Sequence, residues 1–235
     1  MLGKITMKSA PLCGCLGVLA ILFTGCANQG IPTLEGKRAP GLLLEDGQRA
    51  LPRPGESLRA VSANGIKLTK RSEGFVPRLY NDPAGYCTIA YGHLIKKARC
   101  DGTESAEFRA GVTEPRGGEI LVDDMAGAKR TVSKAVTVEL SDSQYAALCD
   151  FVFNVGSENF RTSTLLKVVN REQFERVPAQ LRRWVLADKK PLPGLVTRRQ
   201  DEIRLFFEGL PIPRSEPRPG EDLGPVDIGI GEPEK

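Results

Sequence analysis

The stretch from Ser141 to Gly156 constrains the fold more than any other part of this chain. Ser141-x-x-Gln144 has the form of a capping box, which marks a helix start. Tyr145, Leu148, Cys149 and Val152 then recur at helical spacing, and Gly156 is a natural stop. The segment is apolar on most sides. Such a helix cannot rest on a surface, so it belongs at the centre of a helical lobe, with the remaining elements packed around it.

The flanking sequence supplies those elements. A first helix reads from Ile66 to Gly74, with Pro77 soon after. From Leu79 to Gly92 the pattern is strand, turn, strand, with Asn81 to Gly85 as the turn cluster. On the second strand Tyr86, Thr88 and Ala90 share one face, and Cys87, Ile89 and Tyr91 the other. A polar loop follows through Gly111. Thr113 before Glu114-Pro115 is an N-cap with proline in the first turn, opening a helix predicted to reach about Ala135. Shorter helices are predicted over 163–170 and 172–186, and a last one from Leu195 to Glu208, stopped by Gly209. The predicted fold class is α+β, a small β-hairpin lobe beside a mainly helical lobe.

Both ends read differently. Lys4 and Lys8 precede an apolar run from Ala10 to Phe23, shorter than the roughly 20 residues of a membrane span. This is the pattern of an export signal over residues 1–26. It closes on Phe23-Thr24-Gly25-Cys26, which resembles a bacterial lipobox with Phe23 where Leu is usual. Three readings stay open: lipidation at Cys26, plain cleavage, or a retained weak anchor containing Gly14, Gly17 and Ala20. Each places the folded part outside the cytoplasm. Residues 27–62 and 211–235 are rich in Pro, Gly and charge, and read as a flexible linker and a disordered tail around a folded domain at 63–210.

A net charge of +4 suits an anionic partner without selecting one. The chain lacks a basic arm, a zinc-finger spacing, a P-loop and a dinucleotide fingerprint, so no nucleic acid, metal or cofactor is expected. Of the six cysteines, Cys87, Cys100 and Cys149 fall in the domain. Cys87 and Cys100 flank a loop that a disulfide would close, whereas Cys149 reads as a buried thiol.

Glu73 ends a helix just before the hairpin, Asp82 lies in the hairpin turn, and Thr88 lies on the strand leaving it. Two carboxylates across a cleft are what glycoside hydrolysis requires, one protonated and one ionised. On the residues alone, Glu73 reads equally as a surface acid at a helix end, Asp82 as a turn former before Pro83, and Thr88 as a strand filler. The spacing adds more. Glu73-x8-Asp82-x5-Thr88, with Tyr80-x-Asp82-x-x-Gly85 and Thr88-Ile89-x-x-Gly92-His93, resembles the catalytic signature of the phage-type lysozymes (endolysins), glycoside hydrolase family 24, the family of the T-even phage lysozyme. Gln144 to Gly156, Ser163 to Leu166 with Asn170, Arg183-Trp184, and Gly194 to Phe206 with Arg198-Arg199 match later family blocks. The resemblance covers about 66–209. Three departures stand out: Cys87 replaces an aromatic residue, Ala90 a common glycine, and the loop over 96–110 is longer and more polar than in compact members.

The resemblance implies hydrolysis of the β-1,4 bond between N-acetylmuramic acid and N-acetylglucosamine in peptidoglycan glycan strands, with inversion. Glu73 is then the general acid, and Asp82 and Thr88 position water, with the two carboxyl groups about 6.5–9.5 Å apart. Burial would favour a proton on Glu73, and a facing Arg198, expected by alignment, would oppose it. The same alignment pairs His93 with Asp124 in a structural role and sets Leu94, Phe153 and Ser163 along the glycan cleft, while Trp184 reads as core. Some phage endolysins, the signal-arrest-release proteins, use anchors of the retained kind. A monomer is expected, attached to a membrane through its N-terminus if the signal is lipidated or kept. The competing readings are a catalytically inactive peptidoglycan-binding lipoprotein and a lytic transglycosylase.

Overall fold

The computed structural model describes residues 53, 55–214, 216–229, 231 and 232. The export signal with Cys26, and most of the predicted linker, lie outside them. Among the described residues no helix is long and apolar enough to cross a membrane.

The central helix forms where its local signals place it. It spans Asp142–Val155 (α5), and both bonds of the Ser141/Gln144 capping box are made. Every residue from Tyr145 to Val155 is buried. Four elements enclose it: Ala63–Glu73 (α1), Ala126–Ala135 (α4), Ser157–Thr162 (α6) and Pro193–Phe206 (α9). α1 approaches closely because Gly65 faces Ala146, and a Cβ there would fall 2.6 Å from the Ala146 Cβ. Phe151 and Trp184 meet edge to face at 5.4 Å in the same core.

The β lobe has three strands, Val76–Asn81 (β1), Cys87–Ala90 (β2) and His93–Lys96 (β3), in antiparallel order β1-β2-β3. Tyr80 pairs with Thr88 and Thr88 with Leu94, and the register shifts between Cys87 and Thr88. A second, smaller core of Ile89, Ala90, Val112 and Ile120 lies beneath the lobe, and Phe75 packs against both cores.

Several elements differ from the sequence reading. The polar loop contains β3 and a short helix, Ala106–Ala110 (α2), capped by Ser105. The helix from Thr113 is two, Glu114–Asp124 (α3) and α4, divided at the fully buried Met125. After Thr164–Val169 (α7), the predicted helix over 172–186 is a 3-10 turn at Phe174–Arg176, a short helix at Val177–Leu181 (α8) and a strand at Trp184–Ala187 (β4). β4 pairs antiparallel with Lys190–Pro191 (β5).

The expected disordered tail is instead docked. Val226–Asp227 (β6) adds in parallel to β4, and Val226 and Ile228 join the main core. Buried Arg183 bonds the Gly224 carbonyl and pairs with Asp222 and Glu232, while Glu221 bonds Arg176 and Gln180. Two apolar residues and a set of carboxylates, each meeting a partner far away in sequence, offset the ordering cost that the composition implied. The end of the predicted linker is likewise engaged, with Glu56 paired to Arg130, Arg59 to Asp142, and Val61 packed on the core.

Candidate active site

Glu73 is the last residue of α1. Gly74, at φ 70°, ends the helix by donating its N–H to the Lys70 carbonyl, and two residues later the chain enters β1. The Glu73 side chain is 16% exposed and accepts a 2.8 Å bond from Arg198 Nη1. Arg198 is buried on α9, and its Nε and Nη2 donate to the two carboxylate oxygens of Asp150, each at 2.9 Å. Asp150 is fully buried on α5, so the central helix anchors the guanidinium that holds Glu73. Burial alone would push the Asp150 carboxyl up, but the Arg198 charge and its hydrogen bonds hold it below the ordinary value.

Asp82 and Thr88 are fixed by one residue between them. Asp82 Oδ1 accepts the Tyr86 N–H at 2.8 Å, and the Thr88 hydroxyl donates to the Tyr86 carbonyl at 3.1 Å. The Asp82 N–H also donates to that carbonyl, and the Gly85 N–H closes the turn on the Asp82 carbonyl. The turn thus aligns the acid at its start with the hydroxyl on its return strand. Thr88 is buried on the middle strand, flanked by β1 and β3.

The loop beyond β3 is pinned to this hairpin. Cys87, immediately before Thr88, forms a disulfide with Cys100, and the Cys100 N–H donates to Asn81 Oδ1. Lys96 pairs with Asp101 and with Glu104, whose carboxylate also accepts the Asp101 and Gly102 amides. The Lys96 bond, with those amides, holds the Glu104 carboxyl at about 2. Cys87, Cys100 and Glu104 form the one cluster of metal-ligating residue types among the described residues, and its sulfurs are spent in the disulfide. Cys149 is a buried free thiol, pushed up to about 12 by burial.

The structure brings His93 and Asp124 together, with Nδ1 2.9 and 3.0 Å from the two carboxylate oxygens, tying β3 to α3. Leu94 lies directly across from Thr88 and is half-buried. The other two residues expected along the cleft are corrected. Phe153 is 2% exposed within the main core, and Ser163 is fully buried as the N-cap of α7, accepting the Leu166 N–H. Neither offers surface to a glycan. Their sequence blocks fix packing and a helix start, which cleft contact would have required them to forgo.

Sequence reasoning gave Asp150, Arg199 and Glu202 no role, although all three fall inside the matched blocks. Arg199 Nη2 lies 2.8 Å from Glu202 Oε1 and donates to Asn154 at 2.6 Å, and all three are buried. The available signal was a charged residue inside each of two otherwise apolar helix faces. Ala90 carries a further one: its φ of 58° lies in the left-handed region, which is where a glycine is least strained.

A family model described as phage lysozyme matches residues 70–202, more than half of the chain. The chain belongs to the phage lysozyme family. Among curated relatives, an endolysin of Acyrthosiphon pisum secondary endosymbiont phage 1 is 34% identical over 150 residues, covering 62% of this chain and 97% of that one. A SAR-endolysin of Bacteriophage PS119 is 36% identical over 131 residues, 55% of this chain and 73% of that one. A crystal structure of a P22 lysozyme mutant, 33% identical, superposes with a TM-score of 0.55 over 63% of this chain and 99% of that one. This phage-type lysozyme therefore has the α+β lysozyme-like fold.

Proposed function

We propose that this lysozyme hydrolyses the β-1,4 bond between N-acetylmuramic acid and N-acetylglucosamine in peptidoglycan. Glu73 gives its proton to the departing glycosidic oxygen, while Asp82 and Thr88 hold and activate the attacking water. The observation that carries this reading is the shared anchoring of Asp82 and Thr88 on the backbone of Tyr86. It aims a carboxylate and a hydroxyl from one rigid turn, which is the arrangement that orienting a single water requires. Asp82 Oδ2 makes no hydrogen bond among the described residues, and the Thr88 hydroxyl, having donated its proton, keeps its lone pairs to accept from water. Glu73, by contrast, is held by a cation that is itself neutralised from behind by Asp150. The two carboxyl groups thus sit in unlike environments, as a division into acid and base demands.

Inversion at the anomeric carbon requires the carboxyl groups to lie about 6.5–9.5 Å apart, with room for water, and this is the separation proposed for Glu73 and Asp82. Residues 1–26 act as an export signal that delivers the enzyme, as a monomer, to the cell wall, free once the signal is cleaved, or attached to the membrane where it is lipidated at Cys26 or retained as an anchor. Glu73→Gln is expected to abolish lysis of purified cell walls and leave the circular dichroism spectrum unchanged. Full lysis by that variant removes the assignment. Mass spectrometry of the fragments separates the chemistries: hydrolysis adds water to the new reducing end, whereas a transglycosylase leaves an anhydro sugar. A folded wild-type protein that binds cell wall without turnover identifies a binding protein instead.

A further inference from the structure

Asp82 and Thr88 stand at the two ends of one short turn, and the residues just outside them form its base. Asn81, the last residue of β1, precedes Asp82, and Cys87, the first of β2, precedes Thr88. The two face each other as the last paired residues before the turn. One residue from another part of the chain grips both. Cys100 is bonded through its sulfur to Cys87, and its N–H donates to Asn81 Oδ1 at 2.9 Å. The Cys87 N–H donates at 2.8 Å to the Ala98 carbonyl, so the loop holds this base through two of its residues.

The regular ladder is interrupted where these bonds fall. The register between β1 and β2 shifts between Val76 and Tyr80, and that between β2 and β3 shifts between Cys87 and Thr88. A shift of this kind leaves a residue unpaired and bends the strand, so sheet pairing alone does not fix the spacing across the turn. The loop itself is firmly seated. The Glu104 side chain is 1% exposed, accepts the Asp101 and Gly102 amides, pairs with Lys96, and has Oε1 3.5 Å from Cys87 Sγ. Strand alternation puts Thr88 on the face opposite Cys87, so the grip lies behind the hydroxyl rather than in front of it.

We infer that Cys100 is a positioning residue for the attacking water: by tying Asn81 to Cys87 it fixes the separation of the Asp82 carboxylate and the Thr88 hydroxyl. Within the turn both groups are aligned on Tyr86, but Tyr86 moves with the turn and does not set its width. Cys100 supplies that constraint from outside the turn. A site that holds one water between two groups loses rate steeply when they part, since an error of about 1 Å costs up to about 100-fold. Glycan binding along the rest of the cleft does not depend on this separation. The inference rests on Asp82 and Thr88 holding the water.

The test separates turnover from binding in the full chain, with soluble peptidoglycan fragments as substrate. Cys87→Ser combined with Cys100→Ser breaks the covalent tie and keeps the side chains small and polar. Measured well below the melting temperature of the variant, kcat is expected to fall at least about 10-fold with KM held within about twofold. Exchange of the Tyr86 amide, which donates to Asp82, is expected to quicken about 10-fold while the α5 amides stay protected. A disulfide that only stabilises the fold would lower the melting temperature and leave kcat alone, so a folded double variant with wild-type kcat overturns the inference. Asn81→Ala keeps the disulfide and removes the other tie, so it reads the same coupling in a chain that remains cross-linked. Its kcat is expected to fall about threefold at unchanged KM. Should the double variant not fold, wild-type kcat in Asn81→Ala overturns the inference in its place. Asp82→Asn tells the two readings apart. Wild-type turnover by Asp82→Asn means that the water assignment itself fails; an inactive Asp82→Asn beside a double serine variant of normal kcat means that only the positioning by Cys100 fails.

Discussion

Asp150 illustrates how a proposed catalytic centre depends on a residue wholly buried behind it. It is fully buried, donates nothing and accepts both remaining donors of Arg198. Asp150→Asn leaves Arg198 short of a counter-charge in a dry interior. Breaking a buried pair in this way is expected to cost about 3 kcal/mol, measured by denaturant unfolding. Thr88→Val is a contrasting case. It preserves shape on a buried strand and deletes the hydroxyl bonded to Tyr86. Stability should hold while kcat falls about 100-fold, as loss of a water-orienting group implies. A stable Thr88→Val enzyme with wild-type turnover would remove Thr88 from the proposed mechanism. The spacing of Glu73, Asp82 and Thr88 was readable as a pattern because all three lie within one short stretch. Asp150, Arg199 and Glu202 were not, because nothing local to each of them specifies its partners.

At the level of elements, the segments read correctly are those with their own end signals. Ser141 and Gln144 cap α5, Thr113 caps α3, and Gly156 and Gly74 close helices at positive φ. Ser141→Ala is expected to destabilise the protein by about 1 kcal/mol, read as a lower melting temperature, since the Gln144 N–H loses its acceptor. The elements misread are those decided by neighbours. β3 is a strand because β2 supplies its hydrogen bonds, and β4 because β5 and β6 flank it. The loop after β3 depends on one carboxyl. Glu104 is held at about 2, well below the ordinary 4.5 of a glutamate, so the stability it adds is present above about pH 4.5 and is lost as pH falls through about 2. Amide exchange at Asp101 and Gly102, which donate to Glu104, is expected to accelerate over that window ahead of the α5 amides. Uniform acceleration in both places would show that Glu104 does not govern the loop.

For the whole molecule, the C-terminal strap is the largest departure from what composition suggested. Prolines, glycines and carboxylates dominate residues 211–235, and among the described residues there Val226 and Ile228 reach the core. Truncation after residue 214 strips Arg183 of Gly224, Asp222 and Glu232, and uncovers the β4 edge. The melting temperature is expected to fall by at least about 5 °C, and an unchanged value would mark the strap as an accessory. The sequence by itself determined the elements that carry their own boundaries, the placement of an all-round apolar helix at the centre, and the Glu73, Asp82 and Thr88 pattern. Periodicity, caps and close spacing act within a few residues, so they survive without the fold. Only the tertiary structure decided that the tail docks, that Phe153 and Ser163 are packing residues, and that a buried ionic cluster stands behind Glu73. The docked tail and the ionic cluster depend on groups 40 or more residues apart meeting in a space without water, where an unpaired charge or an open strand edge is costly enough to select its partner.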